Sequence, residues 1–373
     1  MSFSPKPEHL LIPPVPHGGP DYPGLLARGL APEDVLDFSA SVNPFPPAPE
    51  VAAAAGGADV GRYPDSGSLL LRRALARGLG VREEEILVTA GASEALDLIG
   101  LAFIRPGSTC LVLGPTYGEY ARSAALHGGR PHRLQAREED LFRWDMDALT
   151  REILDLRPDL VYVCSPNNPT GVLLSPKELA VLREAVRDVA GGLVLDQAYL
   201  SFREGEEDLA GILPGGDLIV LRSMTKDFGI PGARLGYLAA PVETAAHLER
   251  VRTPWSVSCF AQTLGLAALE ARDYYRRTWR DLGELTRALR EDLRGILRSA
   301  GEGEVLPGEA NFILAKLRRK RELLAHLARR RILLRDCASF GLSDYVRIGV
   351  RTGEENSRLV GAVRDFVEGT GDG

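Results

Sequence analysis

The chain has 373 residues, 45% of them hydrophobic and 26% charged, so it can bury a large core and exceeds one ordinary domain. Its net charge of -6 argues against nucleic-acid or membrane-surface partners, which favour a basic face. No apolar run approaches the roughly 18 residues of a membrane helix, and "MSFSPKPEHLLIPPVPHGGP" has no basic region followed by an apolar one, so no secretory signal is expected. Residues 1–60, rich in Pro, Gly and Ala, read as an arm or cover. A helix is expected from Leu69 ("LLLRRALARGLG"), with Ser68 as its N-cap. Strand and helix signals then alternate. "EILVTA" is a strand and "SEALDLIGLAF" a helix that opens on Ser93 and Glu94. "STCLVLG" and "DLVYVCS" are strands, separated by the helix "YGEYARSAALHG". "SPKELAVLREAVRDV" is a helix with Ser175 as N-cap and Pro176 at its first position. "GGLVLD" and "DLIVLRS" are short apolar strands. A helical stretch covers about 259–300, and "NFILAKL", "RELLAHLARR", "ILLRDC", "YVRIGVR" and a final helix describe a smaller α/β unit.

This alternation predicts an α/β fold with a mostly parallel sheet covered by helices on both faces. The expected division is an N-terminal arm (1–48), a large domain (49–262) and a small C-terminal domain (263–373). Cys110, Cys164, Cys259 and Cys337 form no CxxC pair and read as reduced thiols of a cytoplasmic protein. The six histidines show no ligand spacing, so no metal site is expected. No GxxxxGK[ST] phosphate loop is present.

Ligands in such sheets sit at the carboxyl ends of strands. There the chain places Gly91–Glu94, Pro115–Tyr117, Ser165–Gly171, Asp196–Tyr199 and Ser223–Lys226. The set holds a helix start suited to an anion, an aromatic, an amide cluster, an acid and an amine. It suits an aromatic, phosphorylated aldehyde held as a Schiff base. Lys226 stands out by type: of 45 basic residues only Lys6, Lys177, Lys226, Lys316 and Lys320 are lysines. A lysine can lose its proton and an arginine cannot. Ser223-x-x-Lys226 also fits serine acylases, but the Lys-Thr-Gly that accompanies it there is absent.

"SPNNPTG", "DQAY", "SMTKDFGIPGARLGY" and "YVRIGVR", in that order and over nearly the whole chain, resemble the fold-type I aminotransferases, which use pyridoxal 5'-phosphate (PLP). The resemblance implies catalytic roles for Lys226, Asp196 and Tyr199. Lys226 would carry the cofactor, Asp196 would pair with its protonated ring nitrogen, and Tyr199 and Asn168 would donate to its 3'-oxygen. Ala92 and Ser93 would hold the phosphate on backbone N–H groups, with Ser223 and Arg234 as side-chain ligands. Tyr117 would stack on the ring. Gln197 stands where a Glu is common in the family. Tyr63, in "RYPD", would reach the phosphate of a partner subunit, which implies a homodimer with shared sites. Arg347 resembles the family's carboxylate-binding arginine.

"HGG" (17–19), "DFSASVNPFP", "TPWSVS" and "LLRDCASF" look closest to the threonine-phosphate decarboxylase branch. In that branch the substrate phosphate is served by positions matching His17, Gly18, Asn43 and Arg335. The expected reaction is then decarboxylation of O-phospho-L-threonine to (R)-1-amino-2-propanol O-phosphate, for cobalamin. The alternative is histidinol-phosphate aminotransferase, with 2-oxoglutarate regenerating the cofactor; "DQAYLSF" and "PTYGEY" look more like that branch. Both act on a small phosphorylated amino compound, with no nucleic acid or membrane partner.

Overall fold

The computed structural model describes residues 4, 6–203, 209–213 and 215–369; the outer ends of the expected arm and small domain lie outside them. Among the described residues thirteen strands run, in chain order, β1 Leu36–Asp37, β2 Ile86–Thr89, β3 Thr109–Gly114, β4 Arg130–Gln135, β5 Leu160–Cys164, β6 Gly192–Asp196, β7 Leu218–Ser223, β8 Gly236–Ala239, β9 Gly303–Val305, β10 Phe312–Leu317, β11 Ile332–Leu333, β12 Arg335–Asp336 and β13 Tyr345–Gly349. The seven-stranded sheet has the order β2-β8-β7-β6-β5-β3-β4. Only β8 runs antiparallel to its neighbours, so the α/β architecture expected from the alternation is the one adopted.

Side chains one residue apart along these strands feed two different cores. Leu111, Leu113, Val161, Val163, Leu193 and Leu195 join one apolar cluster. Cys110, Val112, Tyr162, Cys164 and Val194 join the other. A strand buried on both faces has to read as a continuous apolar run, and these do. A third cluster unites the antiparallel sheet β12-β13-β10-β9 with the long helix Arg272–Ser299 and the helix Gly353–Glu368.

Several local expectations are corrected. Ser68 does not cap the helix Leu69–Leu79. It sits in the left-handed region (φ 48°) and makes no side-chain cap bond. Asp65 does the work: its Oδ2 accepts Leu69 N at 2.6 Å and its Oδ1 accepts Gly67 N at 3.0 Å. Ser175 caps its helix as expected, in a capping box with Glu178. The edge strand β4 and the helix Met146–Leu156 had no sequence forecast. β4 ("RPHRLQ") is exposed along nearly its whole length and carries no apolar signal. "ILLRDC" is not one element. β11 pairs in parallel with β1 of the arm, while β12 pairs antiparallel with β13. That split sets Arg335 directly opposite Arg347.

Among the described residues no helix is long and apolar enough to cross a membrane, and no group of three or more His, Cys, Asp or Glu could hold a metal ion. All four cysteines are free.

Candidate active site

Lys226 lies in the short helix Met224–Asp227 that follows β7. This turn is clamped from two sides. Asn43 N donates to Lys226 O at 2.8 Å, and Asn43 Nδ2 donates to Asp227 O at 3.0 Å. Trp279 Nε1, on the long helix, donates to the same Asp227 O at 2.8 Å. Gly229 (φ 63°) lets the chain leave against the Asn43 and Phe45 carbonyls, where a Cβ would sit 3.3 Å from both. The Asn43 amide is used up here: its other hydrogen goes to Thr278 Oγ1 and its Oδ1 accepts Phe45 N. In this structure both amide hydrogens of Asn43, the residue expected at the substrate phosphate, are engaged within the protein.

The Lys226 ammonium lies 5.1 Å above the Tyr199 ring. Tyr199 meets Phe312 edge-on at 5.0 Å, and the Arg347 guanidinium lies 5.2 Å from the other partner of that pair, the Phe312 ring. Phe312 is thus the spacer between amine and guanidinium, a role invisible in an apolar strand. Asp196, 4% exposed at the end of β6, accepts Ala198 N on Oδ1 at 2.9 Å and the Tyr120 hydroxyl on Oδ2 at 2.7 Å.

An anion cradle forms beside it. Gly91 (φ 83°) precedes the helix Ala92–Phe103, and Arg234 Nη2 comes within 3.1 Å of where a Gly91 Cβ would be. A Cβ on Gly236 would meet Ala92 N at 3.1 Å. Ser223 Oγ and Thr225 Oγ1 are 2.6 Å apart. Glycine is needed twice because guanidinium and helix start must approach closely. Helix dipole, N–H groups, hydroxyls and guanidinium suit a phosphate. Thr225 was not among the sequence candidates. Burial pushes the pKa of the Tyr117 hydroxyl up, so it stays protonated.

Arg347 is 5% exposed. Its Nη1 donates to Asn168 Oδ1, its Nη2 donates to Ser39 O at 2.6 Å, and its Nε has no partner. Neither of its hydrogen-bond partners is a carboxylate, so among the described residues it stands without a counter-ion. A buried guanidinium with an unused donor is the mark of an anion site. Arg335, beside it, donates to Pro16 O, His17 O and Ser339 Oγ. Burial, then the neighbouring Arg347, pushes its guanidinium pKa down. The arm is thus strapped over the site. Gly18 packs so close that a Cβ would lie 2.4 Å from Ser39 O, and His17 Nε2 pairs with Glu119 at 3.3 Å. Tyr63 is not brought to the site within one chain: it is 81% exposed and stacks on Trp255 at 4.7 Å. A separate cavity of about 890 Å³ is lined by Asp227, Phe228, Arg222 and Trp279, and by none of Lys226, Asp196 or Arg347.

Asp227 gives the first testable outcome. Its carboxylate accepts Ser201 Oγ at 2.8 Å and Phe228 N at 3.0 Å, yet burial raises its pKa to about 6 from 3.8. A carboxyl whose pKa is raised on folding favours the fold while protonated. That contribution is complete below pH 4 and is lost as pH rises through about 6, at a cost on the order of 3 kcal/mol. Asp227→Asn should therefore melt at a higher temperature than the parent at pH 8 and close to it at pH 4.5; equal melting temperatures at both would refute the assignment.

The residues fit PLP: an amine, an acid for the ring nitrogen, an aromatic, a phosphate cradle and an unused buried donor converge. The profile of the family described as aminotransferase class I and II matches residues 33–363. A histidinol-phosphate aminotransferase of Archaeoglobus fulgidus is 35% identical, over 92% of this chain and 96% of the relative. A threonine-phosphate decarboxylase of Salmonella typhimurium is 33% identical, over 95% of this chain and 97% of the relative. The crystal structure of the Sinorhizobium meliloti histidinol-phosphate aminotransferase, solved with PLP, superposes with a TM-score of 0.85 at 23% identity over 97% of both chains, a likeness of fold. The chain belongs to the aminotransferase class I and II family.

Proposed function

We propose that this chain is a PLP-dependent aminotransferase acting on histidinol phosphate, with 2-oxoglutarate as amino acceptor. The observation that carries this reading is the pair of guanidinium groups, Arg335 and Arg347, set opposite each other on β12 and β13 and linked through Phe312 and Tyr199 to Lys226. Two neighbouring cations serve substrates that bring a phosphate in one half-reaction and carboxylates in the other. The comparisons support the same reading: relatives named histidinol-phosphate aminotransferase recur across bacteria and archaea. The order expected from the sequence motifs, decarboxylase first, is accordingly reversed.

PLP, when bound, supplies an electron sink that makes bonds at the substrate Cα labile. Lys226 would hold it covalently and, once the substrate amine has displaced the lysine, its free amine would move the proton at Cα as general base. Asp196 would keep the ring nitrogen positive, Tyr199 and Asn168 would donate to the ring oxygen, and Tyr117 would cover the ring face. Ala92, Ser93, Ser223, Thr225 and Arg234 hold the phosphate. Arg347 orients the carboxylate of the acceptor. Arg335, His17 and Gly18 bring the arm to the substrate phosphate. The exposed Tyr63–Trp255 stack serves a second copy of the chain, so the active form is a homodimer with shared sites. We place it in the cytoplasm, in line with four free cysteines.

Decarboxylation of O-phospho-L-threonine is the second reading. It is favoured by the arm strapped by Arg335 and by the Salmonella relative, which matches nearly end to end. One experiment separates the two. PLP-loaded protein is given histidinol phosphate with 2-oxoglutarate, and separately O-phospho-L-threonine without oxo acid. Glutamate in the first, with no CO2 in the second, is expected. CO2 released over many turnovers, without glutamate from the first mixture, would overturn the aminotransferase reading.

A further inference from the structure

Tyr120 belongs to no role assigned above, yet it is the side chain that touches Asp196. We propose that Tyr120 is a positioning residue that fixes Asp196 and sets how positive the cofactor ring nitrogen is held; the proposal rests on the PLP reading. Its hydroxyl donates to Asp196 Oδ2 at 2.7 Å. The ring is 1% exposed and held on two sides, stacked on Tyr162 (5.7 Å, 14°) and edge-on to Tyr117 (5.6 Å, 82°). A ring so packed cannot swing its hydroxyl away, so Asp196 has one orientation available.

The surroundings make this bond count. No lysine, arginine or histidine of the described residues forms an ion pair with Asp196; its protein partners are one hydroxyl and one amide N–H. Cys164 stands beside it in register on β5 and sends its thiol to Pro166 O at 3.2 Å. Burial raises that thiol to about 12, so it brings no competing charge. Burial, then Asp196, pushes the Tyr120 phenol well above its ordinary value, so it remains a donor at every working pH. The element carrying Tyr120 is also tied to the phosphate helix, through Ser123 Oγ donating to Leu96 O at 3.0 Å. Tyr120 thereby ties the acid that holds the ring nitrogen to the helix that holds the phosphate.

A donor to Asp196 draws off part of the charge the carboxylate presents to the ring. Without it the carboxylate is both more basic and freer to turn. A more basic carboxylate draws the ring N–H proton toward itself and a freer one loses hold of it, so either effect leaves the ring less positive and the cofactor held on Lys226 keeps its own proton more tightly. The test is a pH titration of the cofactor absorbance. Tyr120→Phe, which keeps the ring and its packing, should move the midpoint up by about one pH unit, the scale of one hydrogen bond to a charge. A purely packing role predicts no movement. 3,5-Difluorotyrosine placed at position 120 strengthens the donor and should move the midpoint down, which covers the case in which the Phe variant does not fold. Parental protein without a cofactor band would sink the PLP reading itself. A band present in all three proteins, with midpoints unchanged, would overturn the role of Tyr120 alone.

Discussion

Lys226→Ala is expected to lower turnover by roughly 10³-fold or more and to abolish covalent attachment of the cofactor, because one side chain performs two tasks. In the proposed mechanism the amine holds the cofactor and, once displaced from it, carries the proton at Cα. Loss of general base catalysis alone costs about 10²–10⁴-fold. The cofactor should still bind, because the Gly91–Ser93 helix start, Ser223, Thr225 and Arg234 do not depend on the lysine. Borohydride treatment followed by mass spectrometry checks the first point: the parent should gain a cofactor-sized adduct on Lys226 and the variant none. Equilibrium dialysis checks the second. The variant should also fold, since the clamp on this turn uses the Lys226 and Asp227 carbonyls and not the lysine side chain. A variant that still gains the adduct would remove Lys226 from its role.

Much of this site was legible because the chemistry of its residues is unusual for their place. A lysine in an arginine-rich chain, an acid at the end of an apolar strand and a helix that opens on small residues announce themselves at strand ends, and an α/β alternation says that strand ends are where to look. What was not legible depends on packing between distant segments. Tyr120 reads as one more core aromatic until the helix Glu119–Leu126 brings its hydroxyl to Asp196, 76 residues away in sequence. Phe312 is anonymous within "NFILAKL" until Tyr199 and Arg347 close on its two sides. Asn43 carried a motif match, yet its amide is consumed by Asp227 and Thr278. Local pattern cannot reveal which hydrogen bonds a side chain has already made. The same holds for Ser68, an ordinary N-cap by type, displaced from that task by a left-handed backbone and an aspartate three residues upstream.

Arg347→Met should separate substrate binding from cofactor chemistry. The guanidinium makes two internal hydrogen bonds, to Asn168 Oδ1 and Ser39 O, and its Nε has no partner. Met keeps much of the volume and the contact with Phe312 but brings no charge. Truncating one side of a buried charge pair costs about 2–5 kcal/mol, so kcat/KM for the half-reaction with 2-oxoglutarate should fall by roughly 10²-fold or more. Histidinol phosphate has no carboxylate. Its half-reaction, followed as the change in cofactor absorbance in a single turnover, should fall less if Arg335 and the arm take the phosphate. Cofactor affinity should fall less than kcat/KM, because no phosphate ligand touches Arg347 and only Asn168, on the ring oxygen, loses a partner. Equal losses in both half-reactions would mean that one guanidinium receives phosphate and carboxylate in turn, and the division of labour between Arg335 and Arg347 would have to be redrawn. Loss confined to the oxo acid would show why two arginines face each other across β12 and β13: each is kept for a different anion, while a single lysine serves both half-reactions.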